Sequence, residues 1–220
     1  MISTISLEGL LPRVFAEDNT VRSRQSDVWL RKAVTFERGQ VYMIKATSGT
    51  GKSSLCSYIY GDRHDYQGRI LFDGTDTASL NVARWCELRR RVLGYMPQEM
   101  KLFPELTAIE NVEIKNRLTH HFTHSHIVEM LESLELGDRI NVAASRLSAG
   151  QQQRVAVVRA LCQPFDFLLI DEPVSHLDEM NNAAVGQMIM DEAARQGAGV
   201  IATSVGNDIV LPTSVTTLEL

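Results

Sequence analysis

The sequence has no long apolar run, little cysteine and no excess of positive charge. No apolar run reaches the roughly 18–20 residues that a helix needs to cross a bilayer, so any membrane partner is expected to be a separate chain. The three cysteines, Cys56, Cys86 and Cys162, lack metal-ligand spacing, and their odd number favours a reducing, cytosolic compartment. With 22 basic and 27 acidic residues, the net charge of −5 argues against nucleic-acid binding.

Signals of secretion and of several domains are also missing. The first residues have no basic side chain ahead of an apolar stretch, so they do not predict a secretory signal. We find no repeat, no low-complexity tract and no Pro/Gly-rich linker. The 220 residues, 44% of them apolar, are enough for one sizeable core, because a chain of this length buries roughly 70% of its extended surface. We therefore expect a single domain.

Short apolar runs alternate with helical patterns along the chain. The predicted strands are residues 41–44, 165–170 and 199–203, together with an edge strand that ends in an Asp-Gly turn within 68–74. A helix is predicted over 52–60, and the polar residues 13–27 predict a loop or hairpin. This alternation indicates an α/β fold with a largely parallel sheet.

The stretch from about residue 98 to 160 has only helical patterns, which predicts a helical part that interrupts the sheet. Within it, a helix over 125–136 places Ile127, Leu131 and Leu134 on one face. Gly137 is expected to follow as the left-handed residue that ends this helix.

Glycines recur directly after the first buried strand. Gly49 and Gly51 fit a loop whose backbone N–H groups converge on an anion. Lys52 would reach the terminal phosphates, and the Ser53 hydroxyl would hold Mg²⁺. The strict phosphate-loop pattern has Gly at Ala46, a change that the loop tolerates if this position does not need a positive φ. The alternative is a flexible Gly/Ser surface loop that ends in Lys.

Two carboxylates end a later apolar strand. The carboxyl ends of parallel strands face the ligand crevice, so Asp171 is placed to hold Mg²⁺ through water. Glu172 is placed to orient or deprotonate an attacking water. The alternative is an acidic helix start after a strand, which is less consistent with a phosphate loop in the same chain.

Residues 147–154, with the sequence LSAGQQQR, carry a family resemblance. They resemble the signature of the nucleotide-binding domain of ATP-binding-cassette (ABC) proteins. The motifs of this chain follow the family's order: the phosphate loop comes first, then residues 95–98, which resemble the Q-loop, then the signature, the acidic pair and residues 175–178, which resemble the D-loop. Ser148 is expected to cap a helix that runs to about Leu161, which would place the Gly150 amide at a second anion site.

The resemblance implies a P-loop NTPase core with a mixed, largely parallel sheet, an N-terminal antiparallel β part and an inserted all-helical subdomain. The core would take residues 1–95 and 161–220 of the single domain 1–220, and the helical subdomain 96–160. ATP and Mg²⁺ are the implied ligands. Since one chain of this family cannot fold its signature onto its own phosphate loop, the resemblance also implies a head-to-tail homodimer or heterodimer with ATP between two cassettes.

Site roles follow from the matching motifs. The resemblance assigns ATP contacts to Ser48, Gly49, Thr50, Gly51, Lys52, Ser53 and Ser54, and, from the opposite subunit, to Ser148, Gly150 and Gln151. Lys52 would contact the β- and γ-phosphates. Ser53, Gln98 and Asp171 would serve the Mg²⁺ shell. Glu172 would be the catalytic base, and Asp178 would couple the two sites.

Three positions depart from the family pattern or leave a choice open. Phe15 is the aromatic expected to stack on adenine, although it could instead pack in the core. Trp29 is the alternative stacking residue. Ala149 replaces the first glycine of the signature. Ser204 stands where the family has a histidine that contacts the γ-phosphate, and a serine hydroxyl is shorter and uncharged. Hydrolysis is therefore expected to be slow or to depend on a partner subunit.

The function implied is that of an ATP-hydrolysing subunit driving a separate integral-membrane permease. Residues 94–112 are similar to the lipoprotein-release, macrolide-export and cell-division branch, in which dimer closure is transmitted mechanically. The chain would lie in the cytoplasm, on the inner face of the cell membrane. A DNA- or ribosome-directed cassette lacks support, because the expected second cassette, coiled coil and basic surfaces are missing. A degenerate regulatory module is the remaining alternative, supported by Ser204 alone.

Overall fold

The computed structural model describes residues 1–16, 26–47 and 49–220. The strands are β1 (Thr4–Pro12), β2 (Val34–Glu37), β3 (Val41–Lys45), β4 (Tyr66–Phe72), β5 (Thr75–Asp76), β6 (Leu93–Met96), β7 (Phe167–Asp171), β8 (Gly199–Ser204) and β9 (Thr216–Glu219). The α-helices are α1 (Arg13–Ala16), α2 (Lys52–Tyr60), α3 (Val82–Arg91), α4 (Ala108–Asn116), α5 (His124–Ser133), α6 (Ala149–Leu161) and α7 (Glu179–Gln196).

The strands form two sheets. One has the order β2-β1-β4-β5 and is antiparallel; the other has the order β6-β7-β8-β3-β9 and is parallel. The α/β class with an N-terminal antiparallel part is therefore confirmed. Parallel neighbours need crossover connections: α4, α5 and α6 lie between β6 and β7, and α7 lies between β7 and β8, whereas the connection from β8 to β9, which passes β3 and is described in full, contains no helix.

The predicted edge strand over residues 68–74 is wrong in its position within the sheet. β4 pairs with β1 on one side, and the two-residue β5 covers its other side. The Asp-Gly turn is present, since Asp73 and Gly74 have φ values of 46° and 78°. Two successive left-handed residues match the tight hairpin turn that an Asp-Gly pair favours, and this turn folds β5 back onto the open side of β4.

The parallel sheet carries a hydrophobic core on each face. Successive side chains of β3 alternate between the two cores. Met43 belongs to the core formed with α4, α5, α6 and α7, and Ile44 belongs to the core formed with α2 and the antiparallel sheet. Leu168 and Leu169 of β7 divide in the same way. Burial on both faces explains why these strands have continuous apolar sequences, and it brings their carboxyl ends to one common edge of the sheet.

The segment between β6 and β7 contains α4, α5, α6 and two short 3₁₀ turns, Gly137–Arg139 and Ala144–Arg146. Its division from the core as a separate subdomain stays a prediction. Among the described residues, no helix is both long and apolar enough to cross a membrane.

The prediction that Gly137 ends its helix in a left-handed conformation is wrong. α5 stops at Ser133, and the left-handed residue is Glu135, with a φ of 57°. Leu134 and Leu136 are both buried, with 1% and 0% of their surface exposed. Residues two positions apart in a helix point in different directions. The backbone therefore turns at Glu135, and both leucines are buried.

Candidate functional site

The carboxyl end of β3 leads through a glycine-containing loop into α2. Gly49 and Gly51 have φ values of 82° and 96°, in the left-handed region that side chains with a Cβ rarely adopt. Gly51 is the N-cap residue of α2, which begins at Lys52 and ends at Tyr60 as predicted. The loop therefore ends at a helix N-terminus, where free N–H groups and the helix dipole favour an anion. Ser48 lies outside the described residues.

Lys52 is the cation of this loop. Its side chain is only 5% exposed, and its ammonium donates to the Thr47 carbonyl at 3.3 Å. The Thr50 hydroxyl donates to the same carbonyl at 2.8 Å. The Lys52 Nζ atom also lies 3.7 Å from the Glu172 carboxylate, which follows β7 in a different part of the chain. The phosphate loop and the acidic pair thus meet in the folded protein.

Gln98 joins the same cluster from the segment after β6. Its amide nitrogen donates to Glu172 at 3.2 Å, and its amide oxygen accepts from the Ser53 hydroxyl at 3.4 Å. The side chains of Lys52, Ser53, Gln98 and Glu172 therefore form one connected group. Ser54 points elsewhere, because its hydroxyl accepts from Arg63 at 2.8 Å.

Asp171 is a fully buried carboxylate at the end of β7. One oxygen accepts from the Thr203 hydroxyl at 2.6 Å, and the other has no hydrogen-bond partner among the described residues. The Glu172 amide donates to the same Thr203 oxygen at 3.2 Å. Burial and, to a smaller extent, the Asp171 charge raise the pKa of the Cys56 thiol on α2, so Asp171 lies beside the helix that begins at Lys52.

Thr203 has a role that the sequence analysis missed. It orients both carboxylate residues, one through its hydroxyl hydrogen and one through its oxygen. The available signal was a hydroxyl side chain at the end of an apolar strand. The Glu172 backbone is itself unusual, with a φ of 52°, a conformation that costs a residue with a Cβ about 1–2 kcal/mol. Such outliers cluster at functional sites.

Ser204 ends β8 at this edge of the sheet. It is 2% exposed, and its hydroxyl has no hydrogen bond of normal geometry within the described ranges. It is the register partner of Lys45 at the end of β3, and its carbonyl accepts from the Ala46 amide at 3.2 Å. Ser204 therefore lies directly beside the start of the phosphate loop.

The signature residues begin α6 with a reciprocal cap. The Ser148 hydroxyl accepts from the Gln151 amide at 3.2 Å, and the Gln151 side chain accepts from the Ser148 amide at 3.0 Å. The predicted helix, capped by Ser148 and running to Leu161, is confirmed. Ser148 and Ala149 are exposed, so this helix N-terminus is open to a ligand or to another chain.

Gly150 marks a close approach between α6 and the D-loop-like segment. A Cβ on Gly150 would lie 2.8 Å from the His176 carbonyl, so even alanine would force the two segments apart. Asp178 ends this segment as the N-cap of α7, where its carboxylate accepts from the Asn181 backbone at 2.8 Å and from the Asn181 side chain. These hydrogen bonds, with that of the Asn181 backbone first, lower the Asp178 pKa.

Both candidate aromatics lie against the phosphate loop. A Cβ on Gly51 would lie 3.2 Å from the Phe15 ring and 3.1 Å from the Trp29 ring. Trp29 is 2% exposed, and its indole N–H donates to the Thr50 carbonyl at 3.0 Å, so it supports the loop from within. Phe15, on α1, is half-buried and keeps part of its ring accessible.

The residues present fit a magnesium–phosphate ligand. The Ser53 hydroxyl, the Gln98 amide oxygen and the Asp171 carboxylate are the hard oxygen donors that Mg²⁺ prefers. The Asp171 oxygen that is buried without a partner in the described part of the chain is the observation that favours such a ligand. Lys52 and the N-terminus of α2 supply positive charge for phosphate.

Comparison with known families decides the assignment. Residues 31–175 match the family model described as ABC transporter. The chain belongs to the ABC transporter family. It is an ATP-binding cassette of the LolD and MacB branch, and ABC cassettes are ATPases. The resemblance found in the sequence is therefore confirmed.

Two relatives and one solved structure illustrate the match. The lipoprotein-releasing system ATP-binding protein LolD of Alcanivorax borkumensis is 35% identical over 161 residues, which cover 72% of this chain and 71% of LolD. The macrolide export ATP-binding/permease protein MacB of a Shewanella species is 35% identical over 164 residues, but the match covers only 25% of MacB. The dimeric structure of MJ0796, a bacterial ABC transporter cassette, has a TM-score of 0.80 at 24% identity; the match covers 98% of this chain and 94% of that chain and shows the fold.

Proposed function

We propose that this ABC cassette binds Mg²⁺-ATP at the Lys52–Glu172 cluster and hydrolyses it to drive an integral-membrane partner. The observation that carries the proposal is the convergence of Lys52 and Gln98 on Glu172 from separate segments, at 3.7 Å and 3.2 Å from its carboxylate. A surface loop that ended in lysine by chance would have no reason to meet a strand-end carboxylate and a distant glutamine.

Nucleotide binding would rest on the loop before α2. Lys52 would contact the β- and γ-phosphates, and the loop residues Ser48 to Gly51, with the backbone amide of Ser54 in the first turn of α2, would surround the phosphates. Phe15 is proposed to stack on adenine, because it is the partly accessible ring of the aromatic pair beside Gly51. Trp29 would instead hold the loop in position.

The metal would be held by Ser53, Gln98 and Asp171. Bound there, it would neutralise phosphate charge during transfer. Glu172 would orient the attacking water and accept its proton, and the Gln98 amide would position that carboxylate through the 3.2 Å hydrogen bond. The Glu172 carboxylate and a bound phosphate would compete for the single ammonium group of Lys52. Glu172 would therefore move away from Lys52 when the phosphate binds.

The signature would act on ATP held by a second cassette. Ser148, Gly150 and Gln151 form a capped helix N-terminus at which Ser148 is exposed, an arrangement that favours an anion. No hydrogen bond joins these residues to Lys52 within the described ranges of this chain. A second copy, or a related cassette, would therefore supply the opposing phosphate loop. Asp178 would couple the two sites, because it ends the segment that packs against Gly150.

The membrane partner is proposed from the relatives, whose names associate them with lipoprotein release and with a permease. A groove of about 380 Å³ beside Gln98 contains Pro97, Phe103 and Ile114, and the Phe103 side chain is 48% exposed. This groove would receive part of the partner and place the cassette at the inner face of the cell membrane. Nucleic acid is not proposed as a partner.

A second candidate function is a catalytically weakened regulatory cassette, which the serine at position 204 favours. ATPase and ATP-binding measurements on wild type, Glu172→Gln and Lys52→Ala separate the two functions. If the protein is an ATPase, we expect wild type to hydrolyse ATP, Glu172→Gln to bind ATP without hydrolysing it, and Lys52→Ala to lose ATP binding. Wild type that binds ATP but is as inactive as Glu172→Gln would favour the regulatory function. Wild type that binds no ATP would overturn both.

A further inference from the structure

Lys45 occupies a position that the proposed mechanism leaves unused. It ends β3 directly before the phosphate loop, and its register partner on β8 is Ser204. Register partners on neighbouring parallel strands project to the same face of the sheet, so the two side chains emerge side by side. The hydrogen bond from the Ala46 amide to the Ser204 carbonyl, at 3.2 Å, holds the two strand ends together at the loop.

Ser204 leaves this place without a positive charge. The family resemblance predicts a cation-forming histidine there, and serine has only a short neutral hydroxyl. That hydroxyl is 2% exposed and has no hydrogen bond of normal geometry in the described part of the chain. The hydroxyl lies close to the Asp208 carboxylate instead, and it supplies no positive charge for a phosphate.

The ammonium of Lys45 is the nearby cation that would fill this role. It lies 2.5 Å from Asp208, in the segment after β8, and the two side chains are 42% and 40% exposed. The Asp208 hydrogen bond raises the pKa of Lys45, so the ammonium stays charged. Lys45 and, to a smaller extent, the Ser204 hydroxyl lower the pKa of Asp208, which places this carboxylate close to both residues.

This ion pair is suited to exchange. Exposed pairs contribute little to stability, so a more highly charged anion competes successfully for the ammonium. The lysine side chain has four rotatable carbons, which lets the charge move while the backbone stays in place. Glu219, the register partner of Lys45 on β9, adds a second carboxylate that keeps the ammonium at this edge of the sheet.

We propose that Lys45 supplies the positive charge at the terminal phosphate of bound nucleotide, in the place left by the absent histidine. Asp208 holds the ammonium until that phosphate is present, and the small Ser204 side chain leaves room for it to pass. The inference rests on the proposed ATP site. The Lys45 contact would favour ATP over ADP, because ADP lacks the terminal phosphate that Lys45 would contact.

The test compares the affinities of the full chain for Mg²⁺-ATP and Mg²⁺-ADP by titration calorimetry, with no turnover required. Lys45→Met should weaken ATP binding about tenfold, the effect of one lost charge-assisted hydrogen bond, and leave ADP binding unchanged. Lys45→Arg should retain most of the difference between the two nucleotides. Asp208→Asn, which frees the ammonium, should strengthen ATP binding relative to ADP binding. The exposed Lys32, changed to Met, controls for the altered net charge.

A rescue variant completes the experiment. Lys45→Met combined with Ser204→His should recover the preference for ATP, because the imidazole would replace the missing cation. If wild type binds both nucleotides and Lys45→Met weakens both equally or neither, the role of Lys45 is refuted while the ATP site stands. If wild type binds neither nucleotide, the proposed function itself fails, and the inference fails with it.

Discussion

The side-chain amide of Gln153 donates a hydrogen bond to the main-chain carbonyl of Glu172 at 2.9 Å. The same amide reaches the Ser175 hydroxyl at 3.1 Å, and its oxygen accepts from the His176 backbone at 3.0 Å. Gln153 is 1% exposed, so water cannot replace these contacts. One residue of the signature helix thus fixes the backbone of the proposed catalytic base and of the segment after it.

Removing this link should disturb hydrolysis more than folding. Gln153→Leu leaves buried groups without partners, for a loss of about 1–3 kcal/mol in the free energy of unfolding. We also expect a clear fall in ATPase activity, because Glu172 loses its backbone anchor. Gln152→Leu is the matched control: it removes hydrogen bonds to the carbonyls of Ala144 and Leu147 and none to Glu172. Urea unfolding and ATPase rates should show similar destabilisation of the two variants and loss of activity in Gln153→Leu alone.

Thr203 should control the metal dependence of the reaction. Thr203→Val keeps the shape of the side chain but removes the hydroxyl that orients Asp171 and accepts from the Glu172 amide. We expect a higher Mg²⁺ requirement for ATPase activity, since the carboxylate would lose its fixed orientation. Thr203→Ser keeps the hydroxyl and should stay close to wild type. A Thr203→Val variant with an unchanged Mg²⁺ titration would contradict this role.

The signature cap offers a test that separates stability from function. Ser148 and Thr107 each form a reciprocal cap, at α6 and at α4. Changing either to Ala should reduce the free energy of unfolding by about 1 kcal/mol. Only Ser148→Ala should weaken ATP-dependent association of two cassettes, because only this helix end would face a second phosphate site. Equal association of the two variants would argue that Ser148 has no role beyond capping.

The sequence predicted those parts of the site that depend on local chemistry. Gly51 and Lys52 mark a loop that enters a helix, and the helix over 52–60 has the predicted bounds. Ser148 stands three residues before a glutamine, the spacing of a reciprocal cap. In each case the residues that make the structure are neighbours in the chain, so pattern and spacing are sufficient.

Contacts between distant segments were harder to predict. Nothing in a run of three glutamines distinguishes Gln153, whose burial follows from how α6 packs on the segment after β7. The sequence predicts the left-handed residue after α5 at Gly137, because a glycine normally takes that conformation, whereas the burial of Leu134 and Leu136 places it at Glu135. The sequence predicts an edge strand at β4 because the two-residue partner β5 leaves almost no sequence signal.

Lys115 should make stability depend on pH in the alkaline range. Burial, with a smaller effect from Arg159, lowers its pKa to about 8, whereas the unfolded value is about 10.4. Between these values the unfolded chain binds more protons than the folded chain, so the free energy of unfolding rises with pH. At pH 7 the free energy of unfolding of Lys115→Met should exceed that of wild type by about 1–2 kcal/mol. This is less than the full pKa difference implies, because solvent screens the charge of a partly exposed side chain. Thermal unfolding from pH 7 to 10 should show this advantage shrinking above pH 8; a constant difference would contradict the assignment.

The most direct test of the central claim is the oligomeric state of Glu172→Gln, measured by sedimentation with no nucleotide, with Mg²⁺-ADP and with Mg²⁺-ATP. The account predicts a dimer with Mg²⁺-ATP alone, since two phosphate loops and two signature helices would then enclose nucleotide that this variant cannot hydrolyse. Lys52→Ala combined with Glu172→Gln should remain monomeric throughout. A Glu172→Gln chain that binds ATP yet sediments as a monomer under all conditions would contradict the claim.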